Sequence, residues 1–282
     1  MQNIYSLNIS SDPVSGIELI SIFLASICIG SFASSVIYRL SYIYINKDKT
    51  INIAFPRSFC PNCKAQLKLI YLVPILGYLI QKGKCKNCGN KIPFLYIFTE
   101  LFFPFLGLLL ITLYGNSIYL YVLLTILFIF YILFVLDLKF FYLPIYINLF
   151  LIIVGFSTNI FFGIFITEIY NMLGISNFMF SLYGFLFGFI SLYLLNLIFK
   201  IFTKKDGIGG GDFLLFGGIG SIFGPFSLGL ILLIASITGC FIYIFFKKNF
   251  KKELPLGSCL ILASTLYFLL VKFELFKNYV VI

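Results

Sequence analysis

The sequence predicts an all-α polytopic membrane protein. It has about eight transmembrane helices, an N-out/C-out arrangement, and a cysteine-rich cytoplasmic loop between the first two spans. Three observations carry this. The 282 residues are 61% hydrophobic and only 11% charged, more apolar surface than a soluble core absorbs. The apolar residues fall into separate runs near the length that a bilayer crossing needs, about 20 residues. The basic residues concentrate in alternate connections between those runs. With 37 Phe, 19 Tyr and no Trp, any interfacial aromatic belt is built from Phe and Tyr.

Taken in order, the spans read as roughly 15–40, 93–113, 118–138, 145–167, 178–202, 212–224, 226–246 and 255–271. The first residues, "MQNIYSLNISSDPVSG", lack the basic stretch of a signal peptide, so the first run reads as a retained span. The run at 212–224 is short and glycine-rich; it borrows residues from the preceding loop or is a broken span. With the N-terminus outside, 18 of the 20 basic residues lie in the inner connections, around 39–92, at Lys139, in 200–211 and in 247–254. Lys272 and Lys277 are the remainder. The net charge of +10 is then an imprint of topology rather than a nucleic-acid footprint, and it favours the anionic headgroups of a lipid bilayer. The chain divides into an N-terminal segment with the first helix (1–40), a cysteine-rich loop (41–92) and a membrane core (93–282).

The loop holds Cys60 and Cys63 in one C-x-x-C and Cys85 and Cys88 in another. Each C-x-x-C sets two thiolates on one tight turn, and two such knuckles make a tetrahedral site suited to Zn²⁺. Pro61 and Gly89 favour the turns, and a reducing cytoplasm disfavours disulfides. The site has no histidine and no open position, so it reads as structural; a redox pair or unmetallated thiols are the alternatives. Cys28, Cys240 and Cys259 lie in spans and read as small apolar fillers.

Histidine is absent, which excludes histidine triads and histidine proton relays. Acid–base chemistry then falls to ten carboxylates and the Tyr, Cys and Lys side chains. Asp137, in "YILFVLDLKFFYLP", ends the third span. Asp212, in "KKDGIGGGDFLLF", begins the sixth. The lysine-based topology brings both to one membrane face. Ionisable groups at membrane depth line a cavity or pair with each other. Two carboxylates sharing one site do not ionise together easily, and such a pair activates water without histidine, serine or metal. Gly207, Gly209, Gly210 and Gly211 would permit positive φ and the close approach of an extended peptide to Asp212. The blander alternatives are an N-cap at Asp212 and an Asp137–Lys139 pair. Glu100, near the start of the second span, reads equally as a partner of Arg39 or as a functional group. Glu18 and Glu168 read as interfacial, Asp206 and Glu253 as solvated.

These residues resemble the type IV prepilin peptidases, membrane aspartic peptidases with a G-x-G-D signature. "GSFASSVIYRL" (30–40) looks like the family's first-span motif, and "RSFCPNC" with "GKCKNCGNKIPFLYIFTEL" like its cysteine loop. "DLKFFYLP" and "GIGGGDFLLFGGIG" look like its two aspartate regions, and "ELPLGS" like its final Pro-Phe-Gly-Pro motif. The resemblance implies that Asp137 and Asp212 are the catalytic pair and that Cys60, Cys63, Cys85 and Cys88 bind zinc. It leaves Gly30, Gly209, Gly211, Arg39 and Glu100 as supporting positions. It implies a multi-pass enzyme of the bacterial cytoplasmic (inner) membrane, with its active site facing the cytoplasm. Such an enzyme removes a short basic leader from prepilin or pseudopilin substrates and N-methylates the new terminus with S-adenosylmethionine. A leader peptidase without methyl transfer, or a transporter or channel with a zinc-bound loop, are the alternatives. The chain departs from the family pattern at Ser34, Ile145, Leu214, Leu256 and Ser258; relatives commonly carry lysine at the position of Leu214 and proline at that of Ser258.

Overall fold

The protein is all-helical, as a computed structural model describes it over residues 14–47, 52–166, 170, 173–246 and 254–272. Among these residues the only strand-like pairings are two isolated bridges in the cysteine loop. Glu168, Glu253 and most of the basic connection at 247–254 lie outside the described residues. The chain forms two units, Met1–Phe128 and Ile129–Ile282.

In the first unit α1 (Gly16–Asn46) opens with a capping box. Ser15 Oγ accepts from Glu18 N, and Glu18 Oε2 accepts from Ser15 N, so two orphan donors of the first turn are satisfied. Glu18 also accepts from Asn116 Nδ2 at 2.9 Å. A 3₁₀ turn (Leu69–Tyr71) and the short α2 (Leu76–Ile80) lie within the cysteine loop. Then α3 (Phe94–Tyr114) returns along α1. Its approach is close because Gly30 leaves no side chain between the helices: a Cβ there would sit 2.7 Å from Thr99 O and 3.1 Å from Glu100 Cα. Gly107 does the same opposite Ser26. Small residues at a crossing are how helices pack where no hydrophobic drive separates them from lipid.

The chain continues through α4 (Ile118–Phe140), α5 (Ile145–Phe162), α6 (Asn177–Thr203), α7 (Gly210–Phe223), α8 (Ser227–Phe246) and α9 (Leu256–Lys272). Pro144 stands at the N-cap of α5, where a missing N–H costs nothing. In the second unit α7 is the packed centre: every residue from Leu215 to Phe223 is buried. It lies backbone to backbone on α6. A Cβ on Gly184 would collide with Gly220 O, and one on Gly188 would stand 2.6 Å from Phe216 O. On its other side Gly155 of α5 faces Ser221, and Gly218 faces Leu151.

Six helices are long and apolar enough to cross a membrane, so the protein is a multi-pass membrane protein. The expected sixth and eighth spans, Gly210–Phe223 and Leu256–Val271, are apolar but shorter. The expected fourth span, 145–167, ends as a helix at Phe162, where Gly163 takes φ 60.

The glycine seam gives a test by contrast. Gly184→Ala places a methyl against backbone and should destabilise by about 1–3 kcal/mol. Gly210→Ala meets nothing within 4 Å and occupies a helical position, so it should be neutral or slightly stabilising. Thermal unfolding of the two variants in detergent checks the order.

Candidate functional site

Asp137 sits in the last turn of α4 and is 5% exposed. It does not pair with the exposed Lys139. Its Oδ2 accepts from the backbone N–H of Ser258 and, at 2.8 Å, from Ser258 Oγ. Asp137 thereby supplies an acceptor to the N-terminal turn of α9, whose first amides have no partner within their own helix. Gly257 makes the approach possible, since a Cβ there would lie 3.1 Å from Asp137 Oδ2 and 2.8 Å from Leu143 Cδ1.

Asp212 lies in the first turn of α7, three residues past the N-cap Gly209, so it is not itself the cap. Its Oδ1 is buried with no hydrogen-bond partner. The two carboxylates lie within electrostatic reach of each other, and Cys259 lies within reach of both. Leu143 ties the ends together: it touches Gly257, and a Cβ on Gly211 would stand 2.7 Å from its Cβ. The end of α4 and the starts of α7 and α9 thus converge on one point.

The glycines before Asp212 behave differently from expectation. None of Gly207, Gly209, Gly210 and Gly211 has positive φ; Gly209 is extended at φ −73 and the last two are helical. What they supply is room. Gly207 lies under the Phe199 ring, Gly211 lies against Leu143, and Gly210 faces open space.

Sequence reasoning missed the residues that hold this loop. Asn196 Oδ1 accepts from Gly207 N at 2.8 Å and Ile208 N at 3.0 Å. Asn148 Nδ2 donates to Gly211 O at 3.1 Å. Asn159 Nδ2 reaches Ser181 Oγ and the carbonyls of Ser221 and Ile222, at the far end of α7. The available signal was an amide inside each apolar run, since a buried amide requires partners. Asp206 is exposed as expected but tied: Lys200 Nζ and Asn196 Nδ2 donate to it, and these bonds, Lys200 first, hold its carboxyl below the usual range.

In the first unit Arg39 does not pair with Glu100. Its guanidinium donates to Asn52 O at 2.9 Å and Pro56 O at 2.6 Å. Glu100 Oε2 instead accepts from Ile75 N at 2.7 Å. Ile75 has φ 61 and ψ −54, and Leu76 N donates to Pro74 O, a γ-turn of the rarer, strained hand.

Cys60, Cys63, Cys85 and Cys88 bring their four Sγ atoms within 4.8 Å of one another, a cluster that can hold a metal ion. The two knuckles repeat one pattern. Cys60 N donates to Ala65 O and Lys64 N to Cys60 O; Cys85 N donates to Asn90 O and Gly89 N to Cys85 O. The turning residue has positive φ in both, 59 at Lys64 and 71 at Gly89. Each knuckle also serves the other: Asn62 Nδ2 lies 3.8 Å from Cys88 Sγ, and Asn87 Nδ2 lies 3.5 Å from Cys63 Sγ. The C-x-N-C shared by both pairs was the legible sign of this. The Asn87 amide holds the Cys63 thiol down to about 6, and burial pushes Cys60 up to about 11. The Cys88 and Asn87 amides lower Cys85.

Fold and site together define a polytopic membrane protein that gathers two aspartates at one end of a helix bundle and four thiols in a separate loop. Residues 24–114 match the bacterial peptidase A24 N-terminal domain, and residues 121–244 match the type IV leader peptidase family. A prepilin leader peptidase/N-methyltransferase of Vibrio cholerae is 32% identical over 257 residues, 89% of this chain and 96% of that protein. A namesake from Legionella pneumophila is 30% identical over 86% of this chain and 87% of its own. No solved structure matches. The chain belongs to the type IV leader peptidase family.

Two outcomes are expected of the thiol cluster. Cys60→Ser or Cys85→Ser should lower the metal content of purified protein, and Asn87→Leu should weaken metal retention by about tenfold in a chelator competition. Protons compete with metal for the thiolates, so the metal content of purified protein should fall as pH falls.

Proposed function

We propose that the chain is a membrane aspartic endopeptidase that cleaves the short basic leader from type IV prepilin-like proteins and then N-methylates the new terminus. The observation that carries the peptidase reading is the convergence of Asp137 and Asp212, with Asp212 Oδ1 buried and unpartnered. A water held between the two carboxylates attacks the scissile carbonyl carbon. Asp137 takes the water's proton, and Asp212 gives a proton to the carbonyl oxygen. Collapse of the tetrahedral intermediate breaks the C–N bond, and a proton passes to the leaving amine. Ser258 supports the base role by fixing Asp137 through two donors on Oδ2. Open space at Gly210 leaves room for the substrate backbone.

In this reading the two short helices complete an eight-span, N-out/C-out arrangement in the bacterial inner membrane. Alternation of the crossings then puts the cysteine loop, Asp137 and Asp212 on the cytoplasmic side, where inside-positive insertion keeps a basic leader. The four thiols hold Zn²⁺ as a structural ion. A tetrahedral zinc about 2.3 Å from each sulfur spaces the sulfurs about 3.8 Å apart, and Cys60 and Cys88 stand at 3.8 Å. The relatives are named N-methyltransferases, and S-adenosylmethionine would supply the methyl group here.

Asp137→Asn and Asp212→Asn should each abolish leader cleavage in membranes while the protein still inserts; near wild-type cleavage by either variant would sink the proposal. Ser258→Ala removes the hydroxyl donor and keeps the N–H. Its cleavage rate should fall by about tenfold, in line with one hydrogen bond to a charged group, and its pH–rate profile should shift. An unchanged profile would make Ser258 a packing residue only.

A further inference from the structure

The loop between α1 and α3 presents an apolar surface. Leu69, Ile70, Val73, Leu76, Leu79 and Ile80 lie in the 3₁₀ turn, in α2 and in the link between them, and each is between 42% and 72% exposed. They form one side of a two-sided element. Tyr71, Tyr78 and the buried Gln81 serve its other side, where they line a cavity within the loop. Gly77 lets the element fold on itself, since a Cβ there would collide with Tyr71 O. The exposed Lys68 and Lys82 bracket it in the chain. Residues 49–99 hold eight basic residues and no acidic one.

A contiguous set of large aliphatic side chains is a poor surface to leave in water. Three observations identify the lipid interface as its cover. The first is the tether. α1 ends at Asn46 and α3 begins at Phe94, both helices are long and apolar enough to cross a membrane, and α3 returns along α1. Both ends of the loop therefore enter the bilayer at one face, and the loop stays close to it. The second is the backbone. The amides of Tyr71, Leu72, Leu76, Gly77, Leu79 and Gln81 all donate to carbonyls of the same segment. The amide of Ile75, which the strained turn leaves over, is taken by Glu100 Oε2. A backbone that brings its own acceptors can leave water, and one that does not cannot. The third is charge. A basic loop without acids suits anionic headgroups, and a lysine stem lies along apolar surface while its ammonium reaches outward to phosphate. Inside-positive insertion accounts for the sign of this charge but not for the aliphatic face beside it.

We propose that residues 69–80 lie in the lipid interface, with the aliphatic side at the acyl boundary and Lys68 and Lys82 at the phosphates of anionic lipid. The element is then a partition, with lipid on one side and the loop's own cavity on the other. The proposal needs only that α1 and α3 cross the membrane, and it is independent of the peptidase reading.

The chain has no tryptophan, so a single introduced one reports alone. Leu69→Trp, Leu79→Trp and, on the second cysteine knuckle, Lys86→Trp are each reconstituted as full-length protein. The vesicles contain phosphatidylcholine and phosphatidylglycerol with acyl chains brominated close to the headgroup. All three positions are exposed, so the larger ring meets no packing, and two probes on the aliphatic side keep the test alive if one variant fails to insert. Leu69→Trp and Leu79→Trp should lose emission to brominated lipid and be protected from aqueous acrylamide, whereas Lys86→Trp should be quenched by acrylamide. Acrylamide quenching of either aliphatic-side probe without loss to brominated lipid would place the segment in water and overturn the proposal. Protection of both probes from both quenchers would mean that protein covers the surface, the second unit or a second copy of the chain, and overturns it equally. Lys68→Gln and Lys82→Gln together, added to Leu79→Trp, should lessen the loss to brominated lipid. An unchanged loss would overturn the part assigned to the two lysines.

Discussion

Inside an apolar bundle a polar group has to find its partner within the protein, because lipid offers none. That requirement organises both units. In the second it explains why three asparagines stand among apolar residues. Asn196 and Asn148 take the backbone groups of the 206–211 loop, and Asn159 takes the carbonyls at the far end of α7. In the first it explains why Arg39 turns to two carbonyls, and why Glu100 holds the amide of a strained turn. Against that background the few buried side-chain atoms left without a partner stand out, and Asp212 Oδ1 is one of them.

The carboxylate end depends on glycine in a specific way. Gly211 and Gly257 approach Leu143 from two helices, and Gly257 also lets α9 reach Asp137. The position of Asp137 is therefore set by the amide and hydroxyl of Ser258 as much as by its own helix. Proline at position 258 would offer neither donor, so the departure at Ser258 gives Asp137 a different set of partners from the one the family pattern implies. Leu214, where the resemblance led one to expect lysine, is half-buried in the turn after Asp212 and offers no polar group.

Much of this was legible in the sequence. Hydropathy gave the helices, lysine distribution predicted that Asp137 and Asp212 would share an end, and cysteine spacing pointed to a cluster. These signals are local or periodic, so one dimension carries them. What the sequence hid was tertiary. No spacing says that Asn159 of α5 will reach carbonyls on α7, or that Ser258 will cap onto Asp137 from 121 residues away. The glycines before Asp212 show the same limit. Their number announces an unusual backbone, but only the packing reveals that clearance, not positive φ, is what they provide. The asparagine of C-x-N-C was visible twice and becomes meaningful only when the two knuckles are seen facing each other.

The helix that carries Asp212 has 14 residues, which at about 1.5 Å each make about 21 Å. A bilayer's hydrocarbon layer is about 30 Å thick. Lipid does not have to thin to meet this hydrophobic mismatch, because α5 and α6 flank the short helix. The helix is therefore about 9 Å short of that layer, and the difference falls where two longer helices, rather than acyl chains alone, stand beside it.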